Sequence, residues 1–234
     1  MGSRTGFTDA RAQEVEPVPA SKGAVRELLE TLLILSVFIL FVRTFVFQQS
    51  DIPSASMEHT LLIGDHVLVN RFLYAPTSFD WERRVLPIRD IRPGDVLVFK
   101  HPPGPEQDYI KRVVALPGQT VALDHGVLRV DGLVVNEPYL TDRERSGPSF
   151  GPVRVEEDSY FLLGDHRSRS SDSRVWGTVP RALIKGRAFL VLFSTDAAPR
   201  PGEVPGRVTP KTLVRKLFDL LFHSRWERCF TLIR

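Results

Sequence analysis

Residues 28–47 form the only long apolar segment of this 234-residue chain, and the rest must be arranged around it. At about 1.5 Å of rise per residue such a helix reaches roughly 30 Å, the thickness of a hydrocarbon core. Glu30 and Arg43 stand near its ends, where long side chains reach a lipid–water interface, and 31–42 carries no charge. A helix apolar around its whole circumference has no face to show to water, which favours a membrane anchor over a buried core helix. Residues 1–27 carry Arg4, Arg11, Lys22 and Arg26, whereas 48–70 hold no Lys or Arg. That asymmetry predicts a cytoplasmic N-terminus, with everything after residue 47 outside. Ser54-Ala55-Ser56 has the small-x-small look of a leader cleavage site. The preceding polar stretch is too long for a leader, however, and the apolar run exceeds the usual about 7–15 residues. An uncleaved anchor fits better.

The remainder reads as one β-rich domain. Short β-branched runs at 66–69, 95–99, 109–116, 120–123, 127–130, 133–135, 159–163 and 188–194 are bounded by Gly, Pro or Asp, with no helical pattern between them. The expected fold is therefore mainly β: an antiparallel β-sheet domain behind one N-terminal transmembrane helix. The division is a cytoplasmic tail over 1–23, the anchor over 24–47, the extracytoplasmic domain over 48–208 and an amphipathic basic segment over 209–234. Segment 72–86 mixes aromatics with charge and reads either as an interfacial β-hairpin or as an ordinary surface loop. Within 209–234, residues 211–222 have the pattern of an amphipathic helix, which suits a membrane surface or docking on the domain equally well.

A net charge of +3, evenly spread, gives no reason to expect nucleic acid. The single cysteine, Cys229, has no partner within the chain, and the six histidines lack metal-ligand spacing, so neither metal nor cofactor is expected.

Two short segments carry chemistry. Ser56 sits in the small-residue stretch Pro53-Ser54-Ala55-Ser56-Met57, and Lys111 in the apolar run Tyr109-Ile110-Lys111-Arg112-Val113-Val114. A lysine desolvated by apolar walls loses its proton near neutral pH and activates a hydroxyl without histidine. A third segment, Gly164-Asp165-His166-Arg167-Ser168-Arg169-Ser170-Ser171-Asp172-Ser173-Arg174, crowds charge and hydroxyls directly behind an apolar strand.

Together these segments resemble the type I signal peptidases, serine–lysine proteases that remove leader peptides from exported proteins. The family's PSxSMxPTLxxGD block is matched from Pro53 to Asp65, its lysine block by Tyr109-Ile110-Lys111-Arg112-Val113-Val114, and its GDNxxxSxDSR block from Gly164 to Arg174. The resemblance implies Ser56 as nucleophile and Lys111 as general base. It implies Ser54, through its hydroxyl, and the Ser56 N–H as the oxyanion hole, and Ser170 as the group orienting the lysine amine. Asp172 with Arg174, and Arg112 with Asp165, become bracing ion pairs. Ile52, Met57, Leu61 and Ile110 become walls of pockets for small residues. The implied partners are signal-peptide-bearing preproteins and membrane lipids, and the implied enzyme is a single-pass, monomeric protein of the cytoplasmic membrane. His59 and His166 depart from the family's usual Pro and Asn. A Ser–His–Asp triad through His166 lacks the GxSxG elbow.

Two rivals are set against this. A self-cleaving serine–lysine regulator should carry a soluble DNA-binding domain where the apolar segment stands. A catalytically silent β-domain has no use for Ser56, Lys111 and Ser170 together.

Overall fold

Val, Ile, Leu and Phe at alternate or consecutive positions favour the pleated, half-buried backbone of a sheet, and such runs supply most of the strands. The computed structural model describes residues 23–75, 80–102, 104, 106–196 and 224–233. The chain divides into two units, Met1–Leu40 and Phe41–Arg234.

The anchor segment departs from expectation at its C-terminal end. Its α-helix, α1 (Ala24–Phe41), starts early enough to include Arg26, Glu27 and Glu30, and it buries no residue. A π-helical turn, Val42–Val46, follows, and Phe47 already begins a strand. Among the described residues no helix is long and apolar enough to cross a membrane. The expected single helix over 28–47 is thus shortened, because Phe47–Asp51 is recruited as an edge strand. Residues 1–22 of the expected tail, and the expected amphipathic helix over 211–222, lie outside the described residues.

Among the described residues twelve strands build two antiparallel sheets. The first seven are β1 (Phe47–Asp51), β2 (Asp65–Asn70), β3 (Val96–Lys100), β4 (Asp108–Ala115), β5 (Thr120–Asp124), β6 (Val127–Val130) and β7 (Leu133–Val134). Then come β8 (Phe150–Arg154), β9 (Ser159–Leu163), β10 (Val179–Pro180), β11 (Ile184–Ser194) and β12 (Thr231–Leu232). The large sheet runs β1-β2-β11-β3-β4-β9-β10, and the small one β7-β6-β5-β8. β11 is long enough to serve three neighbours. It pairs β2 along most of its length, β3 through Ile184–Arg187 and β12 through Leu190 and Val191.

The strands missed by pattern are β1, β8, β10 and β12, which are polar, proline-containing or only two residues long. Segment 72–86 is not a hairpin: it holds a 3₁₀ turn at Phe72–Tyr74 and a short helix, α2, at Asp80–Val85.

Consecutive side chains leave β4 on opposite faces. Val113 joins Leu97, Phe99, Leu162 and Val179 on one face. Ile110, on the other, packs with Ile52, Met57, Leu61, Val67 and Val98. Farther along, Val114 and Ala115 meet Phe161, Val121, Leu123 and Leu128, which fastens the small sheet to the large one. Each such fully buried side chain is worth about 1.5–3 kcal/mol of transfer free energy. β4 is therefore covered on both faces, and that is the strand that carries Lys111.

Candidate active site

Ser56 lies on a 3₁₀ turn, Ala55–Met57, inside the loop that joins β1 to β2. The loop is closed at its base, where the Ile52 N–H donates to the Asp65 carbonyl at 3.0 Å and the Gly64 N–H returns to the Ile52 carbonyl at 3.2 Å. Gly64 is required there. Its φ is +87°, and a Cβ would stand 2.2 Å from the Thr195 carbonyl oxygen. Beyond the serine, His59 adopts φ +84°, which the family's usual proline, fixed near about −65°, cannot reach. The turn leaving Met57 is built differently here.

The Lys111 Nζ lies 2.6 Å from the Ser56 Oγ and donates to the Ile110 carbonyl at 3.0 Å. Lys111 is 3% exposed. Burial pushes its pKa from 10.5 down to about 8, against the opposing pull of Asp172 and Asp165. Ser54 and Ser56 have their hydroxyl oxygens 3.3 Å apart. A serine hydroxyl, a desolvated amine and a neighbouring hydroxyl thus occupy one small volume, an arrangement capable of acyl transfer.

The third sequence segment wraps this group. The His166 N–H donates to the Ser56 carbonyl at 3.1 Å. Gly164 allows that approach, because a Cβ on it would fall 2.5 Å from the Ser56 carbonyl oxygen and 2.2 Å from the Ser170 Oγ. Asp172 is fully buried and accepts from Arg174 Nε at 2.8 Å, Arg174 Nη2 at 2.9 Å and the Gly164 N–H at 3.1 Å. Arg112 and Asp165 form a two-point ion pair, Nε to Oδ1 at 2.9 Å and Nη2 to Oδ2 at 2.6 Å. The same guanidinium donates to the Gly94 carbonyl and lies 3.9 Å from the Tyr139 ring centroid. Both expected ion pairs are present.

One expected contact is absent. The Ser170 Oγ is buried without a hydrogen-bond partner, so the amine is oriented by the Ile110 carbonyl and not by this hydroxyl. The four expected pocket residues gather in one apolar cluster, but Met57 and Leu61 have no exposed surface and lie beneath it. Ile110, at 8%, and Ile52, at 3%, keep a small exposed remainder. A depression of about 1310 Å³ is lined by Phe41, Arg71, Tyr74, Ile88 and Arg181 among others, and contains none of the expected site residues.

Sequence reasoning missed an outer polar layer. Glu137 pairs with Arg167 and accepts from the Tyr139 hydroxyl, and Glu144 accepts from the Ser168 N–H. His166 ring nitrogens face Glu58 at 3.0 Å and Glu144 at 3.5 Å, and the ring makes no bond to the Ser56 hydroxyl. Glu137 and Glu144 carry no local signal for this layer, since the Arg167 and Ser168 they hold lie 30 and 24 residues away. Among the described residues no His, Cys, Asp or Glu cluster has metal-binding geometry.

Residues 25–193 match the family model described as signal peptidase, peptidase S26. The chain belongs to the S26 signal peptidase family. Signal peptidase I of Aquifex aeolicus is 29% identical over 87% of this chain and 97% of its own. The Leptolyngbya laminosa signal peptidase I is 34% identical over 83% and 92%, and that of Pseudomonas aeruginosa 36% over 67% and 68%. The chain is accordingly a peptidase, a hydrolase with a mainly antiparallel β fold. As an S26 peptidase it carries its family match across α1 and both sheets.

Proposed function

We propose that this peptidase cleaves N-terminal signal peptides from exported preproteins after small residues, with Ser56 as nucleophile and Lys111 as general base. The observation that carries the reading is the 2.6 Å separation of Lys111 Nζ and Ser56 Oγ at an amine whose pKa is lowered to about 8. Neutral Lys111 takes the Ser56 proton as the hydroxyl attacks the scissile carbonyl. The Ser56 N–H and the Ser54 hydroxyl donate to the oxyanion, each worth about 3–4 kcal/mol in the transition state. The lysine ammonium then protonates the leaving amine, which departs and leaves an ester on Ser56. A water that gives its proton to Lys111 hydrolyses that ester, and serine and neutral lysine are regenerated. Asp172 with Arg174, and Arg112 with Asp165, hold the flanking backbone. Ile52 and Ile110, over Met57 and Leu61, form shallow apolar walls that admit Ala or Gly.

The proposed location is the cytoplasmic membrane, with residues 24–47 as tether, the N-terminus cytoplasmic and the catalytic domain outside, acting as a monomer. Supporting it, α1 exposes Leu28, Leu33, Ile34, Val37, Phe38 and Leu40 and buries nothing, a surface that suits acyl chains and not water. The test is preprotein cleavage by Ser56→Ala and Lys111→Ala. Each is expected to abolish processing, and full activity in either would overturn the dyad.

A further inference from the structure

The loop that carries the nucleophile is gripped from behind by residues far away in the chain. Asp65, at the loop's end, has 0% exposure. Its carboxylate accepts from Arg228 Nη2 at 2.6 Å, Arg228 Nε at 3.3 Å, the Ser194 hydroxyl at 2.5 Å and the Leu62 N–H at 2.9 Å. Burial alone would raise the pKa of that carboxyl; the Arg228 bond, the Ser194 hydroxyl and the Leu62 N–H outweigh it and hold the group below its ordinary value. Arg228 Nη2 also donates to the Thr60 carbonyl at 3.1 Å. Arg225 Nη2 takes the Ile63 carbonyl, three residues farther along the loop, at 2.6 Å, together with that of Thr195 at 3.0 Å. Ile233 is buried in the cluster that holds Ile52, Met57, Leu61 and Ile110. β12 fixes this segment against β11, and the Phe230 N–H donates to the Val191 carbonyl.

The contacts continue inward. The Thr60 hydroxyl donates to Asp165 Oδ2 at 2.5 Å and accepts from Arg112 Nη2 at 3.2 Å. Arg112 is the residue after Lys111. A single path of charged hydrogen bonds therefore runs from Arg228 through Thr60 to Asp165 and Arg112, with Ser56 on the loop at one end and Lys111 on the strand at the other. Arg225 and Arg228 are otherwise unemployed in the chemistry, and a segment merely resting on the surface would not need to satisfy two carbonyls of the serine loop and a third just beyond β11.

We infer that residues 224–233 form a strap that sets the distance between Ser56 and Lys111, with Arg228 as its positioning residue. The strap touches neither substrate nor the reacting atoms. It acts through the Asp65 carboxylate and the Thr60 carbonyl, and so rests on the reading of Ser56 and Lys111 as the dyad. Lysine cannot replace it fully, because one ammonium does not reproduce the fork that reaches a carboxylate and a carbonyl at once.

The test is steady-state cleavage of a signal-peptide substrate by the full-length enzyme in detergent, beside thermal unfolding. Arg228→Gln is expected to lower kcat about 10- to 100-fold with KM nearly unchanged, since a displacement of about 1 Å costs that much. Arg228→Lys should recover part of the loss. Arg228→Gln also leaves the buried Asp65 charge with only the longer Arg225 contact, at 3.8 Å, so Asp65→Asn is added to it. That double variant should regain the lost melting temperature while kcat stays low, because the Thr60 carbonyl remains unheld. A kcat that returns with the melting temperature would reduce Arg228 to a structural counter-ion and overturn the strap, as would wild-type kcat in Arg228→Gln. Ser56→Ala in the same assay separates the two readings: if it stays active, the dyad fails; if it is dead while Arg228→Gln is fully active, only the strap fails.

Discussion

Lys111 is 3% exposed and has Ile110 and Val113 for neighbours on a strand covered on both faces, so an ammonium there opposes folding. Its pKa falls from 10.5 when unfolded to about 8 when folded. Below pH 8 the folded state must carry a buried charge, and the full penalty applies. Between pH 8 and 10.5 the unfolded chain binds more protons, so stability rises with pH and the penalty fades. The shift corresponds to roughly 3 kcal/mol. Lys111→Met is therefore expected to unfold at higher urea than the wild type at pH 7 and to lose that advantage towards pH 10.5, while being inactive. The same pKa governs rate. Because only a neutral amine can take the serine proton, the role proposed for Lys111 requires kcat/KM to fall about tenfold per unit below pH 8, and a flat profile down to pH 5 would contradict it. The meeting of Ser56 with Lys111 was legible in the sequence only when the Gly164–Arg174 segment and the family resemblance were added, since small residues around one and apolar residues around the other are common local patterns. The unpartnered Ser170 hydroxyl and the pairing of Glu137 with Arg167 were not, since both depend on how distant loops settle.

β4 brings chemistry and bracing to the site in consecutive residues, and its pattern of apolar residues announced it clearly. What the pattern did not announce was the company it keeps. β1 is a polar strand that exists because β2 offers a free edge, in register Phe47↔Asn70 to Asp51↔His66, and that pairing draws Phe47 out of the expected helix. Local propensity is overruled there by tertiary hydrogen bonding. The bracing pair Arg112–Asp165 is buried on both sides, at 2% and 1% side-chain exposure. Arg112→Met leaves the Asp165 charge uncompensated and is expected to cost about 3–5 kcal/mol in urea unfolding. Adding Asp165→Leu removes that stranded charge and should return much of the loss. If the single variant is as stable as the wild type, the pair contributes nothing to the frame. The turn after β9 has as little freedom: Gly164→Ala places a methyl against Ser170 and the Ser56 carbonyl, so it should lower both stability and kcat, by about 1–3 kcal/mol for overpacking.

At the scale of the molecule the open question is what the exposed apolar helix is for. α1 exposes Ile34 at 70% and Phe38 at 62%, far more apolar surface than a monomer leaves to water without cause. Tethering would hold a peptidase at the depth where a preprotein's own apolar segment emerges, and so raise the effective concentration of each for the other. Two readouts must then separate. Ile34→Glu with Phe38→Glu is expected to move the protein from the alkali-resistant membrane pellet to the supernatant, because each charge costs about 2–3 kcal/mol within a hydrocarbon core. Cleavage of a short soluble peptide should be unchanged, since neither residue approaches Ser56 in the sequence or carries site chemistry. Cleavage of a preprotein embedded in vesicles should fall, by about 10²-fold if the full advantage of tethering is lost. Retention in the pellet together with undiminished processing would remove the helix from the mechanism and leave the Phe41–Arg234 unit to find its substrate unaided.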